Sequence, residues 1–197
     1  DEIISGLSFR IDGPQIIGIL GPSGCGKSTL LRLIANLEIP DSGFISYDEK
    51  PISHINGLRY SVQDFDAFPW YTVGQNIELE KKNVQNTGIS TDEILIKVGL
   101  LDHKKKYPEE LSGGMKKRLA FGRIIAASPQ MVLLDEPFSS LDIDSKYEMY
   151  ELLQSLWKDW NCLVIIVTHD VYEAVFLCKN ILISSPAPFS VKKQFLI

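Results

Sequence analysis

The stretch Gly21-Pro22-Ser23-Gly24-Cys25-Gly26-Lys27-Ser28-Thr29 decides how the rest of this chain is read. It follows G-x-x-x-x-G-K-S, the pattern of a phosphate-binding loop. Its glycines keep side chains clear so that successive backbone N–H groups can wrap an anion. Lys27 brings a cation to the outer phosphates, and Ser28 brings a hydroxyl for a bound Mg²⁺. A helix expected to start near Gly26 would point its positive end at the same anion. The bland alternative is a glycine-rich turn with an incidental lysine. The flanks argue against it. Gln15-Ile-Ile-Gly-Ile-Leu20 is an apolar run of strand length. Leu30, Leu31, Leu33, Ile34 and Leu37 recur at helical spacing. Strand, loop, helix is the setting such a loop requires.

Working outward, the bulk properties describe an ordinary globular chain. It has 197 residues, 45% of them apolar and 23% charged. A net charge of −5 gives no electrostatic case for nucleic acid as the main partner. No apolar run reaches the ~18 residues of a membrane-spanning helix, and no secretory leader is visible. Cys25, Cys162 and Cys178 show neither paired nor metal-like spacing, which suits a reducing compartment. The chain starts at Asp1, directly before an alternating segment, so a native N-terminus is expected upstream.

Elements follow from pattern. Ile3 to Phe9 reads as a strand, and Asp12-Gly13-Pro14 as a turn. Gly43 to Tyr47 suggests a short strand, and Leu58 to Val62 another, ending at Gln63. Strand signals then vanish from about residue 65 to 123. Thr72 to Leu79, Thr91 to Leu101 and Gly113 to Ala127 read as helices. Two buried-strand runs return at Met131 to Leu134 and Leu163 to Val167. Between them Ile143, Tyr147, Tyr150, Leu153, Trp157 and Trp160 mark one helix face, read as core packing. Pro186-Ala-Pro188 ends the regular pattern. The whole predicts an α/β fold with a mainly parallel sheet interrupted by a helical insertion.

A second cluster closes the strand at Met131. Asp135 and Glu136 precede Pro137, and ligands of open α/β sheets gather at such strand ends. Asp135 is the natural partner of the Mg²⁺ that Ser28 faces. Glu136 can then orient and deprotonate a water for attack on the γ-phosphate. The alternative is a turn with two solvated acids. His169 directly follows the strand ending at Thr168 and could meet the γ-phosphate or the attacking water; a surface histidine is the competing reading. Gln63, also at a strand end, could reach Mg²⁺ or water. Leu111-Ser112-Gly113-Gly114-Met115 opens a helix, with Ser112 as its cap, and offers a second anion-binding helix start. A thiol at a helix start can have a lowered pKa, so Cys25 is expected to be alkylatable, with loss of ligand binding at the loop.

Taken in order, the phosphate loop, Gln63, L-S-G-G at 111–114, hydrophobic-D-E-P at 135–137, Ser140-Leu141-Asp142 and His169 resemble the ATP-binding-cassette ATPases over essentially the whole chain. The resemblance implies a P-loop NTPase (RecA-like) core with a small antiparallel β subdomain at residues 1–65 and 126–197. It implies an inserted helical subdomain at 66–125. It further implies ATP and Mg²⁺ as ligands and hydrolysis of the β–γ phosphate bond. Subunits of this family pair head to tail. ATP on Gly21–Thr29 of one subunit is then completed by Ser112, Gly113 and Gly114 of the other, with Asp142 at the interface. Gln63 would link the site to the helical subdomain, which docks on a membrane partner.

The run Pro69-Trp70-Tyr71-Thr72-Val73-Gly-Gln-Asn76-Ile77, with L-S-G-G-M, is similar to the nitrate, sulfonate and taurine importers. Phe68, Trp70 and Tyr71 offer either a docking surface for a permease or local packing. The implied role is the ATPase subunit of an importer, peripheral on the cytoplasmic face of a membrane. Its partners would be a second, identical ATPase subunit, transmembrane permease subunits and an extracytoplasmic solute-binding protein, and not nucleic acid. An exporter-type or a non-transport cassette ATPase is the alternative. The short interval between Lys27 and Leu111 leaves no room for the coiled coil of DNA-repair relatives.

Overall fold

The computed structural model of the chain describes residues 2–55, 57–61, 67–82 and 88–197, apart from the side chain of His54. Gln63 therefore lies outside the described residues. The contacts divide the chain into two compact units. The first comprises Asp1–Tyr60, Gln130–Glu136 and Cys162–Ile197, and the second Ser61–Pro129 and Pro137–Asn161.

The first unit is built on β1 (Ile16–Leu20), β5 (Met131–Asp135), β6 (Leu163–Thr168) and β7 (Asn180–Ser184), each almost wholly buried. With β4 (Leu58–Ser61) and β8 (Val191–Leu196) they form one six-stranded sheet in the order β4-β5-β6-β1-β7-β8. β1, β5, β6 and β7 pair in parallel, and β8 pairs antiparallel with β7. Strand alternation sorts side chains to two faces. Ile17 and Ile19 of β1 join a core with Leu30, Leu31 and Ile34 of α1 (Lys27–Ile34). Gly18, between them, faces α6 (Val171–Leu177), where a Cβ would stand 3.0 Å from Cys178 Sγ. The missing side chain lets α6 lie close on β1. A two-stranded antiparallel sheet of β2 (Ser46–Tyr47) and β3 (Lys50–Pro51) completes this unit.

The second unit is helical. It holds α2 (Val73–Lys82), α3 (Thr91–Lys97), α4 (Gly113–Ala126) and α5 (Ile143–Trp160). At Gly122 a Cβ would come within 2.9 Å of Ile77 Cδ1, so glycine here sets how closely α2 and α4 pack. Phe138 is fully buried between Phe121 and Tyr150, with ring centroids 6.1 and 4.9 Å away. Asn76, also fully buried, braces the loop before α2: its Oδ1 accepts from Phe68 N–H at 2.8 Å. Its Nδ2 donates to the carbonyls of Phe68, Tyr71 and Thr72 at 3.0–3.1 Å. Thr72 and Gln75 cap each other's backbone N–H at the start of α2. No helix among the described residues is long and apolar enough to cross a membrane.

Four expectations change. Ile3 to Phe9 is not a strand: Gly6 at φ +56° breaks the run, leaving a single parallel bridge from Ile4 to Phe189. The helix from Thr91 ends at Lys97, two residues before Gly99 at φ +68°. The stripe on α5 is core only at Tyr150 and Leu153; Trp157 and Trp160 are half-buried, and Ile143 and Tyr147 are exposed. The regular pattern resumes after Pro188, since β8 is an edge strand. Its Lys-Lys-Gln centre shows no apolar period, and its partner β7 supplies the order.

Candidate functional site: a strand-end phosphate cradle

Three strands of the first unit end level. Leu20 of β1 pairs with Thr168 of β6, and Asp135 of β5 pairs with Val167. The chain leaves each strand at this edge. Gly21 N–H donates to Thr168 O at 3.4 Å, and Glu136 N–H to Val167 O at 2.9 Å. The phosphate loop, Asp135-Glu136 and His169 are therefore neighbours because parallel strands share one carboxyl edge.

The loop turns on two glycines in the left-handed region, Gly24 at φ +76° and Gly26 at φ +110°. Gly21 is required for a different reason. A Cβ there would fall 1.8 Å from Ser184 Oγ. Lys27 is folded under the loop and buried, its Nζ donating to Gly21 O at 2.9 Å and Pro22 O at 2.8 Å. An ammonium has three donors, so one remains for an anion. The N–H groups of Ser23, Gly24, Cys25 and Gly26 find no acceptor among the described residues. Unclaimed successive donors above a helix N-terminus form an anion nest. Pro22, Ser23 and Ser28 are exposed, and Thr29 is half-buried in the first turn of α1. Cys25 is 2% exposed, with Sγ 3.3 Å from Ser184 Oγ. The expectation of ready alkylation at Cys25 is thus corrected: the thiol packs inward, beneath the loop. Burial also pushes the Cys162 and Cys178 thiols up, to about 11 and about 12.

Glu136 takes φ +46°, a conformation that costs a non-glycine residue of order 1 kcal/mol or more. That turn aims its carboxylate at His169, with Oε1 3.1 Å from Nδ1. A carboxylate only accepts, so the contact selects the imidazole form carrying a proton on Nδ1. The Glu136 side chain is 19% exposed and that of His169 55%. Asp135 is 9% exposed, and the Tyr60 hydroxyl lies 3.5 Å from its Oδ2. Among the described residues no group of three or more His, Cys, Asp or Glu side chains is placed to hold a metal ion by itself. A carboxylate and a serine hydroxyl beside a phosphate cradle still fit Mg²⁺, which takes one or two protein oxygens plus phosphate. The under-bonded Asp135 carboxylate is the observation that fits.

In the second unit, Ser112 caps α4, its Oγ accepting from Met115 N–H at 3.3 Å. A Cβ on Gly113 or Gly114 would meet nothing within 4 Å, so neither glycine is demanded by local packing. Asp142 caps α5, accepting from Ser145 N–H at 2.9 Å and Ser145 Oγ at 2.7 Å. Those bonds hold its carboxyl below the usual aspartate value. Phe68, Trp70 and Tyr71 form one aromatic cluster with centroids 5.7–6.3 Å apart, and Trp70 is 66% exposed. Packing and exposure thus occur in the same group. Sequence reasoning missed Tyr60 and Ser184. Their roles depend on which strands become neighbours, and no local pattern announces that.

Comparison with known proteins agrees with this geometry. Nitrate import ATP-binding protein NrtD of Synechocystis sp. is 39% identical over 202 residues, covering 98% of this chain and 75% of that protein. Aliphatic sulfonates import ATP-binding protein SsuB 2 of Agrobacterium fabrum is 42% identical, covering 92% and 70%. Taurine import ATP-binding protein TauB of Yersinia pestis is 38% identical, covering 95% and 76%. Among solved structures, the dimeric post-hydrolysis ATP-binding cassette MJ0796 with ADP and Pi superposes with a TM-score of 0.83. It is 25% identical and covers 98% of this chain and 90% of its own. The cbiO1 subunit from Clostridium perfringens gives the same TM-score at 27% identity, covering 98% and 81%. The ABC transporter family profile itself matches residues 4–139. Strand-end chemistry, relatives and profile agree, and the chain belongs to the ABC transporter family.

Proposed function

We propose that this chain is the ATP-binding and ATP-hydrolysing subunit of an ABC importer, acting at the cytoplasmic face of a membrane. Relatives named for nitrate, sulfonate and taurine import support the importer class. The observation that carries the chemistry is Glu136, held in a strained backbone against His169 beside the loop.

ATP lies with its phosphates on Gly21–Thr29. The N–H groups of residues 23–26 and the third donor of Lys27 bind phosphate oxygens. Asp135 and Ser28, with Gln63, would hold Mg²⁺, which would neutralise phosphate charge. Glu136 accepts the proton of a water whose oxygen bonds to the γ-phosphorus. The bond from that phosphorus to the β–γ bridging oxygen breaks, releasing ADP and phosphate. His169, bonded to one oxygen of Glu136, keeps the other facing the water. The chain needs little covalent chemistry of its own; position and charge do most of the work.

The cradle is completed by a second copy. Ser112, Gly113 and Gly114 present helix-start donors with nothing crowding them, which suits contact with ATP held by a partner. Asp142 then serves twice, capping α5 and lying at the pair's interface. The dimeric form of the MJ0796 cassette supports pairing. The helical segment 66–125, inserted in the core of 1–65 and 126–197, receives the permease, with Trp70 as an exposed contact. An extracytoplasmic solute-binding protein completes the importer.

The test is Glu136→Gln. ATP binding is expected to persist, turnover to fall to near background and an ATP-dependent dimer to accumulate. Wild-type turnover would remove Glu136 from the role of base.

A further inference from the structure

Tyr60 lies in β4, the neighbour of β5 in the sheet, and its hydroxyl approaches Asp135 Oδ2 at 3.5 Å. Among the described residues no other group donates to that carboxylate. At 9% exposure, Asp135 receives little help from water. An ionised carboxylate offers about four lone-pair sites, and leaving a buried one with a single long contact is costly. A buried carboxylate of purely structural purpose is ordinarily matched by a cation or several N–H donors. Here the partner is one neutral phenol. Lysine or arginine at this position would cancel the charge and compete with an incoming metal ion. A phenol restrains the group and leaves the charge intact. The ring of Tyr60 also packs against the core of the first unit, so ring and hydroxyl have separable duties.

The geometry points to Tyr60 as a positioning residue for the proposed Asp135 cation site. Its hydroxyl anchors one carboxylate oxygen and restricts rotation of the group, so an arriving divalent ion meets a pre-oriented ligand. This rests on the assignment of Asp135 above. Tyr60→Phe keeps the ring and removes the hydroxyl that approaches Asp135.

The experiment uses the full chain with ADP and Mn²⁺, with free Mn²⁺ followed by electron paramagnetic resonance. Wild type, Tyr60→Phe, Asp135→Asn and the double variant are compared. Tyr60→Phe is expected to weaken Mn²⁺ binding about threefold to tenfold, with an unfolding midpoint near wild type. In the Asp135→Asn background the same change is expected to have no further effect, because its target is gone. No loss when Tyr60→Phe is made with Asp135 intact, or an equal loss in both backgrounds, overturns the proposal. If Asp135→Asn itself binds Mn²⁺ like wild type, the cation role of Asp135 falls, and the Tyr60 inference falls with it.

Discussion

His169 Nδ1 lies 3.1 Å from Glu136 Oε1, and Glu136 N–H is bonded to Val167 O two residues earlier on the same strand exit. The end of β6 therefore holds Glu136 at both its backbone and its side chain. Removing the imidazole frees the carboxylate while the backbone tether remains. His169→Ala is expected to lower kcat by about 10²-fold or more, the usual worth of a placed acid–base partner. ATP affinity should change little. Steady-state ATPase assays alongside ATP titration check this; a matching loss of affinity would move His169 from chemistry to binding.

Lys27 bonds to two carbonyls of its own loop, so it shapes the loop as well as charging it. Lys27→Ala is expected to weaken ATP binding by about 10- to 100-fold, the range of a charge-assisted hydrogen bond. Calorimetric titration with ATP reads the effect. An unchanged affinity would detach the loop from the nucleotide.

Gly21 is tight against Ser184. Gly21→Ala would place a Cβ 1.8 Å from Ser184 Oγ and 3.2 Å from Ser184 Cβ. The variant should lose both stability and ATP affinity. Adding Ser184→Ala deletes the nearer atom and should restore part of both. Absence of any rescue would mean that the strain lies in the loop backbone and not in this contact.

From a fully buried position, Asn76 accepts from Phe68 N–H and shares its two amide hydrogens among the carbonyls of Phe68, Tyr71 and Thr72. Asn76→Ala strands Phe68 N–H and Tyr71 O, while Phe68 O and Thr72 O keep backbone donors, and is expected to cost about 2–4 kcal/mol. Denaturant unfolding measures it. Asn76→Asp should be no milder, because a carboxylate cannot donate to the carbonyls of Phe68, Tyr71 and Thr72.

Asp142 gives a pH signature. Its folded pKa is depressed, chiefly by the backbone N–H of Ser145. Its stabilising contribution is therefore present above the ordinary aspartate value and is lost as pH falls through the lowered one. The midpoint difference between wild type and Asp142→Ala should be full at pH 7 and shrink in strong acid. A difference independent of pH would show that the carboxylate charge plays no part in the cap.

Much of this was legible in the sequence because chemistry and punctuation are local. The phosphate loop declares itself through glycine spacing, Asp135-Glu136 through an apolar run ending in acids, and Ser112 through cap chemistry. What stayed hidden depends on distant partners. Tyr60 reads as one more residue of a short strand until β4 lies beside β5. The Glu136–His169 contact needs both the parallel register of β5 with β6 and a left-handed turn that no local pattern announces. β8 is polar at its centre and is ordered by β7. In the opposite direction, Ile3 to Phe9 has the alternation of a strand but contains Gly6, and one positive φ outweighed the pattern.

The left-handed backbone of Glu136 has a consequence for anyone evolving this protein. Glycine would sit there without strain, and asparagine with less of it. Selection for heat resistance alone should therefore favour replacing the residue proposed to drive turnover. A thermostability screen on this chain needs a parallel activity screen, or its winners will be robust and inert.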